Sequence, residues 1–320
     1  METEANIDAE DEPPGSPLIR ESNIGNFLDK ENMLLKYEGA NPTGTQKDRI
    51  SRKHVENAIS KGYDRISVAT CGNYGASIAY YAEKYGIKAI IGIPSDYSNI
   101  RYDEIKEYNA DIIEKPLKYE EMVEYIRDLS NKNNWYDASP GSKNKKIDIE
   151  GYSEIAYEIY NQLSYIPDYI SIPVGNGTTL YGIYRGFYDL YKNNRTDKIP
   201  EFIASSTVNG NPIIDSFLND YKKIHEINPE NIMETEINEP LVSYRSYDGQ
   251  NALNVLYKTG GKAVYVTDDE MYELSRDFKK YDDLSVLPAS TAAVAAALRI
   301  VDDETCVIVL TGSDKIWKRQ

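Results

Sequence analysis

Cysteine is nearly missing from this chain: Cys71 and Cys306 are the only two among 320 residues. Two thiols are too few for a disulfide framework or a zinc ribbon, so neither class of small stapled domain applies. Histidine is as scarce, and His54 and His225 match neither a metal-ligand spacing nor a hydrolytic triad. A packing or surface role is expected for both, and no metal site is expected. Basic charge is short as well. With 36 Lys and Arg against 52 Asp and Glu, the net charge is -16, which argues against a nucleic acid partner. No run approaches the ~20 apolar residues of a membrane helix, and the amino terminus carries acids where a signal peptide carries bases. The expectation is a cytoplasmic protein that does not touch a membrane. Phenylalanine is outnumbered too, 5 against 28 tyrosines, and each buried tyrosine brings a hydroxyl that needs a partner.

What is present reads as an α/β enzyme. The hydrophobic share of 41% over this length supports a substantial core and two domains of ordinary size. Met1 to Pro14 is acidic and proline-bearing, and reads as a flexible arm. Apolar, β-branched runs at residues 65–70, 87–94, 110–114, 169–174, 202–208, 262–266 and 306–310 predict strands. Between them, residues 46–61, 78–85, 96–108, 119–132, 150–163, 180–191 and 290–301 predict helices. Alternation of this kind predicts parallel sheets with crossover helices. The polar stretch from Trp135 to Lys146 is the candidate domain boundary.

One loop-to-helix junction, two strand-to-helix junctions and one strand end hold the chemistry. Asn41-Pro42-Thr43-Gly44-Thr45-Gln46-Lys47-Asp48-Arg49 places Lys47 where an irregular loop becomes a helix, with Thr43 and Thr45 as caps and Gly62 as the stop. The helix dipole and nearby Lys and Arg side chains there would favour a neutral amine fit for Schiff-base chemistry. Cys71-Gly72-Asn73 turns out of a strand and offers the Asn73 amide. Gly175-Asn176-Gly177-Thr178-Thr179 opens a helix with backbone N–H groups and two hydroxyls, a cradle for a phosphate monoester. Thr311 ends the last strand, and open α/β sheets bind ligands at that edge. No Walker sequence occurs, and the third glycine of the loop that starts at Gly175 is Gly182, the wrong spacing for a dinucleotide loop.

These segments, in this order from about Gly15 to Lys315, resemble the fold type II pyridoxal phosphate enzymes (tryptophan synthase β-like), and within them the threonine synthase branch. Leu34-Leu35-Lys36-Tyr37-Glu38-Gly39 before the lysine loop, Pro173-Val174 before Gly175, and Pro288-Ala289-Ser290 before the last long helix add to the resemblance. It implies two three-layer αβα domains with mostly parallel sheets, residues 15–147 carrying the lysine and 148–320 the phosphate loop. It implies pyridoxal 5'-phosphate as cofactor and a homodimer. Lys47 would be the Schiff-base lysine and general base, and Asn73 would contact the ring oxygen. Gly175, Asn176, Gly177, Thr178 and Thr179 would hold the phosphate, and Thr311 the ring nitrogen. Thr45, Thr70, Cys71, Gly72, Ser142 and Lys143 would meet an amino-acid substrate. A neutral hydroxyl at the ring nitrogen makes a weaker electron sink than a carboxylate would, which favours elimination and replacement over transamination.

The implied activity is conversion of O-phosphohomoserine and water to threonine and phosphate. Departures from the branch open two alternatives. Asp148 stands where the branch has a phosphate-binding arginine, Thr45-Gln46 replaces Ser-Phe, Leu287 replaces a glutamate, and Asp314 a glycine. The dense Ser142-Lys143-Asn144-Lys145-Lys146 patch is a candidate replacement for the lost cation. The alternatives are β-elimination or β-replacement on serine, threonine or O-phosphoserine, and a catalytically altered cofactor-binding paralogue.

Overall fold

The structure, a computed structural model, describes residues 15–27, 30, 32–70, 72–95 and 101–314. The arm 1–14 and Cys71 lie outside these. In chain order the first half carries β1 (Leu18–Ile19), α1 (Asn23–Phe27), β2 (Met33–Tyr37), α2 (Lys47–Ser60), β3 (Arg65–Ala69), α3 (Asn73–Lys84), β4 (Lys88–Pro94), α4 (Tyr102–Glu107), β5 (Asp111–Lys115), α5 (Tyr119–Asn133) and β6 (Tyr136–Asp137). The second carries α6 (Lys146–Leu163), β7 (Tyr169–Pro173), α7 (Thr178–Lys192), β8 (Glu201–Thr207), α8 (Pro212–Leu218), α9 (Gly249–Thr259), β9 (Lys262–Val266), α10 (Asp268–Asp282), α11 (Pro288–Ile300) and β10 (Cys306–Leu310).

Two sheets result, with orders β1-β2-β10-β7-β8-β9 and β5-β4-β3-β6. Every pairing is parallel except β1 with β2. Strands buried on both faces need unbroken apolar runs, and β2, β10 and most of β4 and β8 are buried along their length. On one face of the larger sheet α11 packs through Ala292, Ala293, Ala296 and Ala297, all without exposure, because methyl side chains let a helix lie close to strands. Its other face shares one continuous apolar cluster with α6, α7, α2 and β3, so the two sheets meet over a common core. Full burial of one side chain in it, such as Phe187, contributes about 1.5–3 kcal/mol. On α7, a Cβ at Gly182 would lie 2.4 Å from Tyr152 Cβ, and one at Gly186 would lie 2.6 Å from the Ser153 carbonyl. These two glycines, one turn apart, let α6 sit flush on α7 and set the depth of the α6 side chains that face the first half of the chain.

The expected strands and helices correspond to elements within a few residues, with α3 beginning at Asn73, five residues before its expected start. Of the helix expected over 96–108, residues 96–100 lie outside the described residues, and α4 is six residues long. The expected break at 147 falls in the first turn of α6. Residues 18–37, expected with the lysine-bearing half, give β1 and β2 to the sheet of the second half: β2 pairs in parallel with β10 from Met33↔Cys306 to Tyr37↔Leu310. No helix among the described residues is long and apolar enough to cross a membrane.

Candidate active site

A cavity of about 460 Å³ opens where β3, β7 and β10 end, between the two sheets. Lys47, Asn73, all five residues from Gly175 to Thr179, and Thr311 line it, as do Thr45, Thr70 and Gly72. Residues spread over the whole chain thus share one wall.

The lysine loop is held from three sides. The Gln46 N–H donates to the Thr311 carbonyl at 2.9 Å, and the Ser313 N–H to the Gly44 carbonyl at 2.9 Å, which makes a short bridge between Thr45 and Gly312. Thr43 donates its N–H and hydroxyl to Asp48 at 2.7 and 2.6 Å, and Ser77 adds a third bond at 2.5 Å. Burial dominates over these bonds and raises the Asp48 carboxyl above its ordinary pKa. The cap of α2 differs from expectation: Thr45 Oγ1 accepts the Lys47 N–H at 3.2 Å, while Thr43 is spent on Asp48. At the cavity, Lys47 Nζ donates to Tyr152 Oη at 3.1 Å and lies 5.7 and 5.8 Å from the ring centres of Tyr74 and Tyr152. The cations expected beside it are turned elsewhere. Arg49 faces Glu38 and Glu158, and Arg52 and Lys53 face Glu154, because α6 and the turn after β2 offer carboxylates on those faces.

Asn73 sits at the start of α3, and its Oδ1 accepts from Arg101 Nη1 at 3.0 Å. An amide with its oxygen so held presents its NH2 as the free donor, which fits an oxygen ligand. Arg101 is 3% exposed and also donates to the Thr43 carbonyl at 2.9 Å and to both oxygens of Glu104, so it ties the lysine loop to Asn73. The sequence gives no sign of this: Arg101 follows a variable-looking polar stretch 28 positions beyond its partner.

The glycine loop fits a phosphate in its main chain. Gly177 holds φ +83 at the start of α7, and a Cβ on Gly175 would lie 2.8 Å from the Pro240 carbonyl. First-turn N–H groups of a helix lack partners within it, so they face the cavity as donors. Thr178, however, donates its hydroxyl to Asp248 Oδ2 at 2.8 Å, which leaves Thr179 as the hydroxyl at hand. Asn211 braces the loop by donating to the Val174 and Gly175 carbonyls at 3.0 and 2.9 Å. Across the cavity Thr311 Oγ1 is 2.8 Å from Ser290 Oγ, which is wholly buried, so one hydroxyl of the pair is supplied and the other is left to act. A dianion cradle, an amide donor, a hydroxyl at a strand end and a primary amine together match pyridoxal phosphate. When bound, that cofactor supplies an aldehyde for amines and a ring that delocalises the electron pair at the α carbon.

Ser142 and Lys143 do not border the cavity. Gly141, at φ +70, lines it and turns the chain away. Ser142 is then buried beneath the Asn144 N–H, Lys143 points to solvent, and Asn144 Nδ2 anchors the turn on the Asp137 carbonyl at 2.9 Å. The basic patch is therefore a surface feature. Asp148 does line the cavity, yet it is not a bare charge there: its Oδ1 lies 2.9 Å from His54 Nε2. His54, expected to be a surface or packing residue, is wholly buried and paired. Among the described residues no group of His, Cys, Asp and Glu could hold a metal ion.

The chain belongs to the pyridoxal-phosphate dependent enzymes, whose family model matches residues 10–312. It is accordingly a lyase-type enzyme that uses pyridoxal phosphate. Threonine synthases of Methanocaldococcus jannaschii and Methanosarcina acetivorans are each 28% identical over 308 residues, 93% of this chain and 74% of theirs. Among solved structures, maize serine racemase has a TM-score of 0.78 at 18% identity over 93% of this chain and 88% of that one. A tomato (Solanum lycopersicum) threonine deaminase isoform has 0.77 at 18% over 94% and 84%. Both share the fold.

Proposed function

We propose that this enzyme converts O-phosphohomoserine and water to threonine and phosphate. The observation that carries the reading is the meeting of Lys47, Asn73, the Gly175–Thr179 loop and Thr311 in one cavity, in a chain similar to threonine synthases over most of its length. Lys47 Nζ takes the α proton of the substrate and later returns it, and Tyr152 Oη, accepting a Lys47 N–H, aims the amine's lone pair. Asn73 Nδ2 and Thr311 Oγ1 would hold the cofactor ring, and the glycine loop would hold its phosphate. Lys118 and Arg101 border the cavity and would meet the substrate phosphate in place of the distant Ser142–Lys146 patch.

A second reading rests on the opposite charge. Glu120, Glu234, Glu236 and Glu239 also border the cavity, and such a wall disfavours a dianionic leaving group. Elimination from serine or threonine, whose hydroxyl leaves as water, suits it. Phosphate release from O-phosphohomoserine, measured beside keto-acid release from serine and threonine, separates the two. Absence of phosphate release refutes the first. A homodimer is proposed on family resemblance, and light scattering at micromolar concentration tests it.

A further inference from the structure

Two helices place two polar pairs side by side. On α2, Lys47 and His54 are seven residues apart and share a face; on α6, Asp148 and Tyr152 are four apart and share another. Lys47 meets Tyr152 at 3.1 Å, and His54 Nε2 meets Asp148 Oδ1 at 2.9 Å. The first pair belongs to the reaction already described. The second has no part in it, although Asp148 borders the same cavity and is only 6% exposed.

Behind the cavity the bonds continue. His54 Nδ1 lies 3.1 Å from Tyr136 Oη, and Tyr136 donates its proton to Asn57 Oδ1 at 3.0 Å. A tyrosine has one proton to give, so with that proton on Asn57 the His54 Nδ1 must donate to Tyr136 Oη. Nε2 then faces the Asp148 carboxylate as a donor. If the Asn57 amide is reversed, Tyr136 donates to Nδ1 instead, and Nε2–H still faces Asp148. Either arrangement gives a carboxylate whose geometry is set by a buried donor while its carboxyl group remains at the cavity wall. A purely structural pair gains nothing from such a position, since solvent and ligand there compete for the carboxylate.

We propose that Asp148 is a catalytic acid–base group for the chemistry beyond the α carbon, with His54 as its positioning residue. The inference rests on the proposed hydration reaction. When water adds to the unsaturated carbon chain left by the departing phosphate, the Asp148 carboxylate takes a proton from it. The broken O–H bond leaves its electron pair on oxygen, that oxygen forms the new C–O bond at the β carbon, and the displaced π pair passes to the α carbon, which is protonated. The proton held by Asp148 leaves to solvent with the product. In elimination of a hydroxyl group the same transfer runs backwards, and Asp148 gives the departing oxygen its proton.

The test uses holoenzyme in deuterium oxide, with proton NMR following loss of the substrate α proton and formation of product. For Asp148→Asn we expect α-proton exchange within about tenfold of the parent and product formation reduced by roughly 10²–10⁴-fold, with KM little changed. His54→Gln should lower kcat with KM retained. Because the chain has two histidines, loss of one imidazole N–H resonance in His54→Gln assigns it, and that resonance should move in Asp148→Asn. Product formation within tenfold of the parent in Asp148→Asn overturns the proposal. So does loss of α-proton exchange together with product, which marks a residue that shapes the whole site. If Asp148→Asn does not fold, His54→Gln decides: an unchanged kcat overturns the proposal. A parent that exchanges the α proton but releases no phosphate refutes the substrate assignment alone, and the same comparison is then read on serine elimination.

Discussion

Replacing Arg49 with methionine probes how the first turn of α2 is held. Arg49 Nε and Nη2 donate to the two oxygens of Glu38 at 2.6 and 2.8 Å, and Nη1 and Nη2 reach those of Glu158 at 2.7 and 2.8 Å. Glu38 is wholly buried. Burial alone would raise its carboxyl pKa, but Arg49, with help from Lys36 and Ser16, outweighs burial and holds it below the ordinary value. In the variant, Ser16 Oγ at 2.5 Å and Asn41 Nδ2 at 2.8 Å remain, too little for a buried charge, so the carboxyl binds a proton instead. At pH 7, about 2.7 units above an ordinary glutamate, holding that proton costs about 3.7 kcal/mol at ~1.4 kcal/mol per unit. This lies within the ~3–5 kcal/mol lost when one partner of a buried pair is removed. At pH 5 the proton costs about 1 kcal/mol. In the parent, the depressed pKa gives stability that is present above the unfolded value and lost as pH falls through the folded value. The variant's effect shrinks the penalty by roughly 2–3 kcal/mol between pH 7 and 5, while the parent's own loss begins only below the ordinary glutamate value. The raised pKa of Asp48 is common to both proteins and cancels. Urea unfolding at the two pH values measures the difference, and adding Glu38→Gln to the variant should recover most of the loss at pH 7. An equal penalty at both pH values would refute the reasoning.

Other outcomes concern the cavity directly. Lys47→Ala should lose turnover to background, and borohydride reduction should leave a pyridoxyl label on the parent's Lys47 but none on the variant; a labelled variant would move the Schiff base elsewhere. Arg101→Met frees Asn73 Oδ1, and at about 1.5–3 kcal/mol per charged hydrogen bond kcat/KM should fall roughly 10–100-fold in steady-state assays. Gly177→Ala forces a side chain into φ +83 and puts its Cβ 2.9 Å from both Ala252 Cβ and Ile213 Cδ1. A loss of about 1–3 kcal/mol in thermal or urea unfolding should accompany weaker cofactor retention, and an unchanged melting curve contradicts the packing described here.

Local signals made some cavity-lining residues readable in the sequence. Lys47, Asn73, Gly177 and Thr311 each sit at the end of a strongly patterned strand or the start of a helix, where periodicity changes within a few residues. The partners that hold them carry no such mark. Arg101 reaches Asn73 from a polar loop, Asp248 reaches Thr178 from 70 positions away, and His54 meets Asp148 across 94 positions. Such pairs exist only once α2, α6 and α7 have packed. No strand is expected at Met33–Tyr37, where Lys36 breaks the apolar run, and nothing in the sequence names the neighbour of β2, which is β10. Ser142 and Lys143 misled through charge density, which marks a solvated turn as readily as an anion site.

The bridge of Thr45 to Gly312, with β2 zipped along β10, bears on how this enzyme is made. On the ribosome, β2 emerges early as a largely apolar ribbon, with one edge paired to β1 and the other waiting for β10. The lysine loop has no floor until residues 306–313 are in place, so vitamin B6 capture is expected only after their synthesis. A protein with such a seam folds slowly for its size, because its decisive pairing joins its two ends. A polypeptide cut short before β10 is left with one open edge on β2, a template for wrong pairing.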